Sequence, residues 1–149
     1  MSIDNEGTEN YSTRARVYLE KLESLDKEII NGIKKLNKIE YVAEEPSWSY
    51  FAKDYGLEEL AIIREHEEDQ LSPEKYKTIK RLFDSRRRKV IFTNTASESS
   101  AVNTIAYDNH AAIYEIDSFE TGTANEDAYE ILIRKNLMIL KEAFGIKEN

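Results

Sequence analysis

The chain has 149 residues, 40% of them hydrophobic and 10% aromatic, which suffices for one domain with its own core. Its 29 acidic residues outnumber 21 basic ones, for a net charge of -8. That balance disfavours nucleic acid as a partner, because a phosphate backbone is held by clustered Lys and Arg. The absence of Cys excludes a disulfide scaffold, a thiolate zinc finger and a Cys nucleophile, and no run approaches the ~18 apolar residues of a membrane helix.

The first residues, Met1 to Asn10, are polar and acidic, without the basic and apolar regions of a signal peptide. Residues 1–9 read as a disordered lead-in. From there Ala15, Tyr18, Leu19, Leu22, Leu25, Ile29, Ile33 and Leu36 recur at steps of three and four, predicting one long helix over 10–37. Ile39 to Ala43 is rich in β-branched and aromatic residues and reads as a first strand. Trp48 to Tyr55 reads as a short helix stopped by Gly56, with Trp48, Tyr50, Phe51 and Tyr55 as its core-facing aromatics.

Leu60 to Ile63 predicts a second strand, and Ser72-Pro73 opens a helix carrying Tyr76, Ile79, Leu82 and Phe83. Val90 to Thr93 is the third strand, followed by a helix opening at Ser97. Ala111 to Ile116 is the fourth, and a last helix runs from about Tyr129 to Phe144, ended by Gly145. Strands and helices alternate four times. The predicted fold is therefore a three-layer α/β sandwich, a four-stranded mainly parallel sheet with helices on both faces.

In such sheets ligands gather where loops leave the carboxyl ends of the strands. Those loops carry Glu44 and Glu45; Glu65, His66, Glu67, Glu68 and Asp69; Asn94, Ser97 and Glu98; and Asp117 and Glu120. Carboxylates in that density suit hard cations, although acidic loops are ordinarily just solvated. The two histidines do not form a site: His66 has no second His at ligand spacing, and His110 precedes its strand, at the opposite edge. There is no Gly-x-Ser-x-Gly elbow and no glycine-rich phosphate loop. Arg86 to Lys89 reads as a solvated turn.

Several segments, in order, resemble the C-terminal lobe of the zinc- and manganese-binding solute-binding proteins of ABC transporters. They are Tyr18 to Asp26, Glu45 to Leu57, Leu71 to Pro73, Lys89 to Thr93, Thr104 to Ala106, and Asn136-Leu137. The segment Tyr50-Phe51-Ala52-Lys53-Asp54-Tyr55-Gly56-Leu57 is the most specific, and the likeness covers about residues 10–145. The resemblance implies two α/β lobes joined by a long helix, with the metal in the cleft between them. It makes residues 10–37 the connecting helix and residues 38–149 the second lobe.

The resemblance also implies a ligand set. Two His come from the first lobe, a His or Glu from the position of Glu45, and an Asp from the position of Asp117. Glu at the former position is similar to the manganese-binding members. The first lobe and its His pair are not in this sequence, and Asn94 stands where members often carry Glu. The expectation is thus a lobe of an extracytoplasmic (periplasmic or cell-surface) receptor, holding half of a site for Mn or Zn and binding the ion weakly by itself. Its implied partners are the first lobe and an ABC transporter permease. An uncovered cleft face would permit self-association, and no enzymatic reaction is implied. The alternatives are a Mg-dependent hydrolase or phosphotransferase built on the same carboxylates, and a stand-alone α/β interaction domain without ligand.

Overall fold

A computed structural model describes residues 8–66, 69–95, 97–120 and 125–145. Helix α1 (Thr8–Lys34) leads into strand β1 (Glu40–Ala43), a 3-10 turn (Pro46–Trp48) and α2 (Ser49–Tyr55). Then come β2 (Glu58–Ile62), α3 (Pro73–Asp84), β3 (Val90–Asn94), α4 (Ser100–Asn109), β4 (Ala112–Ile116) and α5 (Ala128–Phe144). The strands pair in the order β2-β1-β3-β4, all parallel. The α/β sandwich is therefore as the alternation predicts. From β1 the chain winds outward to β2, crosses back to β3, and winds outward again to β4. The direction reverses between β1 and β3, which opens a crevice at their carboxyl ends.

Period-two alternation in the central strands supplies two cores. Tyr41, Ala43, Val90 and Phe92 face one way and pack with Leu25 and Ile29 of α1, Ala52 of α2, and Ile133, Leu140 and Phe144 of α5. Val42 and Ile91 face the other way and pack with Ile79 and Phe83 of α3 and Val102, Ile105 and Ala106 of α4. Where α1 meets α5 the approach is close: a Cβ on Gly32 would stand 2.9 Å from a methyl of Leu137. Gly56 closes α2 in the left-handed region at φ 71°, as its place after Tyr55 predicts.

The differences from the sequence reading have local causes. Thr8 and Glu9 already belong to α1, whereas residues 1–7 of the expected lead-in lie outside the described residues. The apolar stripe of α1 is buried only from Leu25 onward, while Val17 and Leu19 stay 48% and 58% exposed. Over this stretch α1 meets the rest of the described chain only partly, Tyr18 lining a groove with Tyr55 and Tyr129 and Lys21 pairing with Asp127. Helix α4 begins at Ser100, because the Ser99 hydroxyl, not that of Ser97, accepts from the Val102 amide. Tyr50, expected in the core, is 85% exposed, whereas Trp48 is buried. His110 serves as the left-handed C-cap of α4.

One buried phenol links this core to pH. Tyr41 is 1% exposed and its hydroxyl donates to Glu59 Oε2 at 3.2 Å. Burial, with the Glu59 carboxylate adding to it, pushes the phenol well above its ordinary range. The stabilisation is fully present below the unfolded phenol pKa of about 10 and is lost as pH rises beyond it, because the unfolded chain releases its proton first. Urea titrations between pH 8 and 11 should show stability falling above pH 10. Tyr41→Phe should remove up to about 1.4 kcal/mol per pH unit from that slope; an unchanged slope would exonerate Tyr41.

Candidate functional site

The carboxyl edge of the sheet opens into a cleft of about 710 Å³ lined by residues that follow every strand. Glu45, Pro46 and Ser47 come from the segment after β1, Arg64 and Glu65 from that after β2, Asn94 from the last position of β3, and Thr95 and Ser97 to Ser99 from the loop after it. Glu120 closes the side nearest β4. Among these described residues four are glutamates and one, Arg64, is basic, so the cleft is acidic with a single built-in cation.

Its floor is Glu44. Sequence reading places this residue in a solvated loop, but its side chain is 1% exposed. The backbone explains why. The Glu44 amide donates to the Phe92 carbonyl at 2.8 Å and its carbonyl accepts from the Arg64 amide at 2.9 Å. The ladder thus runs one residue beyond β1, and alternation turns Glu44 to the side of Val42. The hydroxyls of Thr93 and Ser97 donate to its two oxygens, that of Ser97 at 2.7 Å. Arg64 Nη2 lies 2.9 Å from Glu44 Oε1. A buried carboxylate with two hydroxyl donors and a guanidinium is a satisfied charge.

The same guanidinium bridges to the adjacent residue. Arg64 Nη2 is 2.6 Å from Glu45 Oε1, and Asn94 Nδ2 donates to Glu45 Oε2 at 3.0 Å. Glu45, the first expected ligand, therefore lines the cleft with both oxygens engaged. Sequence reading did not single out Arg64 or Thr93. The available signal was the extension of both strand patterns by one residue, which sets Arg64 beside Glu44.

Asp117, the second expected ligand, follows β4 at the same sheet edge, with β3 between its strand and that of Glu45. Its backbone is clamped from both sides by buried Asn136 of α5: the Asp117 amide donates to Asn136 Oδ1 at 3.0 Å, and Asn136 Nδ2 donates to the Asp117 carbonyl at 2.9 Å. Asp117 Oδ1 accepts from the Phe119 amide at 2.9 Å, closing an Asx turn. Phe119 takes a left-handed backbone at φ 65°, uncommon for a bulky residue. Its ring stands between those of Trp48 and Tyr129, with centroids 5.8 and 5.2 Å away. The loop geometry is thus set by α5 and an aromatic row. Asp117 is not among the residues lining the cleft.

The remaining candidates separate. The His66 and Glu65 amides both donate to Asp69 Oδ2 at 3.0 Å, and these bonds hold the Asp69 carboxyl below its usual value. The segment is thereby an acid-capped turn, with His66 exposed on it. Glu67 and Glu68 lie outside the described residues. Among the described residues no three His, Asp or Glu side chains stand close enough together to hold a metal ion.

Comparison with known proteins gives a consistent picture. The family model of the periplasmic zinc-uptake complex component A, ZnuA, matches residues 1–143. The high-affinity zinc uptake system protein ZnuA of Bacillus subtilis is 26% identical across 97% of this chain. The manganese ABC transporter substrate-binding lipoprotein PsaA of Streptococcus anginosus is 27% identical across 95% of it. The chain spans only 46% and 48% of the length of these two relatives. Among solved structures, the laminin-binding adhesin Lmb of Streptococcus agalactiae superposes with a TM-score of 0.82 at 23% identity, over 95% of this chain and 53% of that one. AdcAII of Streptococcus pneumoniae gives 0.79 at 25% identity, over 95% and 53%.

Proposed function

Because the chain belongs to the ZnuA family of zinc-uptake components, we propose that it is the second lobe of an extracytoplasmic receptor that captures Zn or Mn for uptake through an ABC transporter. Residues 10–37 are then the connecting helix and residues 38–149 the lobe proper. Glu45 and Asp117 supply its share of the ligands, and the ion is cargo, neither transformed nor used as a catalyst. The carrying observation is that both residues follow parallel strands at the same carboxyl edge of one sheet, Glu45 beside the switch point and Asp117 on the other side of β3. The partners in this reading are a His-bearing first lobe and the transporter permease. The uncovered apolar residues of α1, Tyr11, Val17, Tyr18 and Leu19, fit a face that another lobe or a second copy would cover.

Two carboxylates leave most of a coordination shell to water. This chain should therefore bind Mn or Zn no tighter than about 10⁻⁴–10⁻³ M, the range of weak carboxylate sites. Calorimetry with each ion is the test. Asp117→Ala and Glu45→Ala should each abolish the heat while leaving the circular dichroism unchanged. Binding that survives both substitutions would place the ion elsewhere.

A further inference from the structure

The expected ligand Glu45 already holds a cation of its own. Arg64 Nη2 sits 2.6 Å from Glu45 Oε1, shorter than its 2.9 Å distance to Glu44 Oε1, and Asn94 occupies the other Glu45 oxygen. We propose that Arg64 sets the affinity of this lobe for divalent cations, as a tethered guanidinium that must leave Glu45 before an ion can take its place.

The arrangement has the parts such a competitor needs. The guanidinium meets Glu45 in a charge-assisted contact, so an ion reaches that oxygen by displacing it. Displacement is feasible because the Arg64 and Glu45 side chains are 21% and 23% exposed, at the mouth of the cleft. It also leaves no orphan, because buried Glu44 retains Arg64 after Glu45 lets go. Glu44 in turn is held by Thr93 and Ser97, so it does not follow the ion outward. A purely structural arginine would need Glu44 alone; the second, shorter contact to Glu45 is the part that opposes metal.

This inference rests on Glu45 being a ligand, and the experiment separates the two ideas. Mn²⁺ binding to the whole chain is followed by electron paramagnetic resonance of the free ion, at fixed ionic strength. Arg64→Gln should tighten binding on the order of tenfold or more, since a positive charge in contact with the ligand is removed. Arg64→Lys should stay near the parent. The Glu44→Gln/Arg64→Gln pair keeps the parent's net charge, removes the risk of an unpaired buried carboxylate, and should still bind more tightly than the parent. Adding Glu45→Gln should erase each gain. If binding depends on Glu45 but neither the single nor the double Arg64 variant tightens it, the role given to Arg64 is wrong while the ligand assignment stands. If the gain survives Glu45→Gln, Arg64 acts by another route and the proposal falls. If no variant binds Mn²⁺, both ideas fall together.

Discussion

Phe83→Ala should lower the free energy of unfolding by about 3–5 kcal/mol, the range for emptying a fully buried aromatic site. Phe83 is 0% exposed near the end of α3 and packs with Ile79, Val42, Ile91 and Ile105. Those neighbours belong to two strands and two helices, so they cannot close over the void together. Since a domain of this kind holds only about 5–15 kcal/mol in total, the loss is a large share of its stability. Urea denaturation followed by circular dichroism measures it. A loss below about 1 kcal/mol would mean that the α3–α4 layer is loosely packed.

Arg64→Ala should cost a similar amount, about 3–5 kcal/mol, for an electrostatic reason. Glu44 is 1% exposed, and the substitution removes the guanidinium that pairs with it, leaving two hydroxyl donors. An uncompensated buried charge is far more costly than a missing pair. Exchanging both members for neutral amides, Glu44→Gln/Arg64→Gln, should therefore recover most of the loss. The same denaturation series decides it. A double variant no more stable than Arg64→Ala would show that the two side chains are not coupled.

The order of elements was legible because each carries its own local signal. Val90 to Thr93 is a β-branched and aromatic run, Ser72-Pro73 is an N-cap with Pro at the first turn, and Gly56 and Gly145 each follow a helix. The two expected ligands could be assigned to the correct sheet edge, because edge follows from strand direction alone. What Glu44 and Arg64 do was not legible. Burial of Glu44 depends on one more rung of a ladder between residues 48 positions apart in sequence, Glu44 and Phe92, and no local pattern marks it. Tyr50 misled for a related reason: spacing within α2 identifies aromatic residues, but only the packed sheet decides which of them face it. The exposed start of α1 follows the same logic, since an apolar stripe gives no account of how far its cover extends.

The outer strands of the sheet bear on how the molecule avoids misassembly. Strands β2 and β4 each leave one row of backbone groups unpaired within the described sheet, which is a template for adding a foreign strand. Each is only five residues long, β2 opens with Glu58 and Glu59, and β4 carries Glu115. A copy docking edge to edge would align like charges and strip them of water. Fibril growth by strand addition, which runs across the strands along the hydrogen-bonding direction, is therefore disfavoured at both borders.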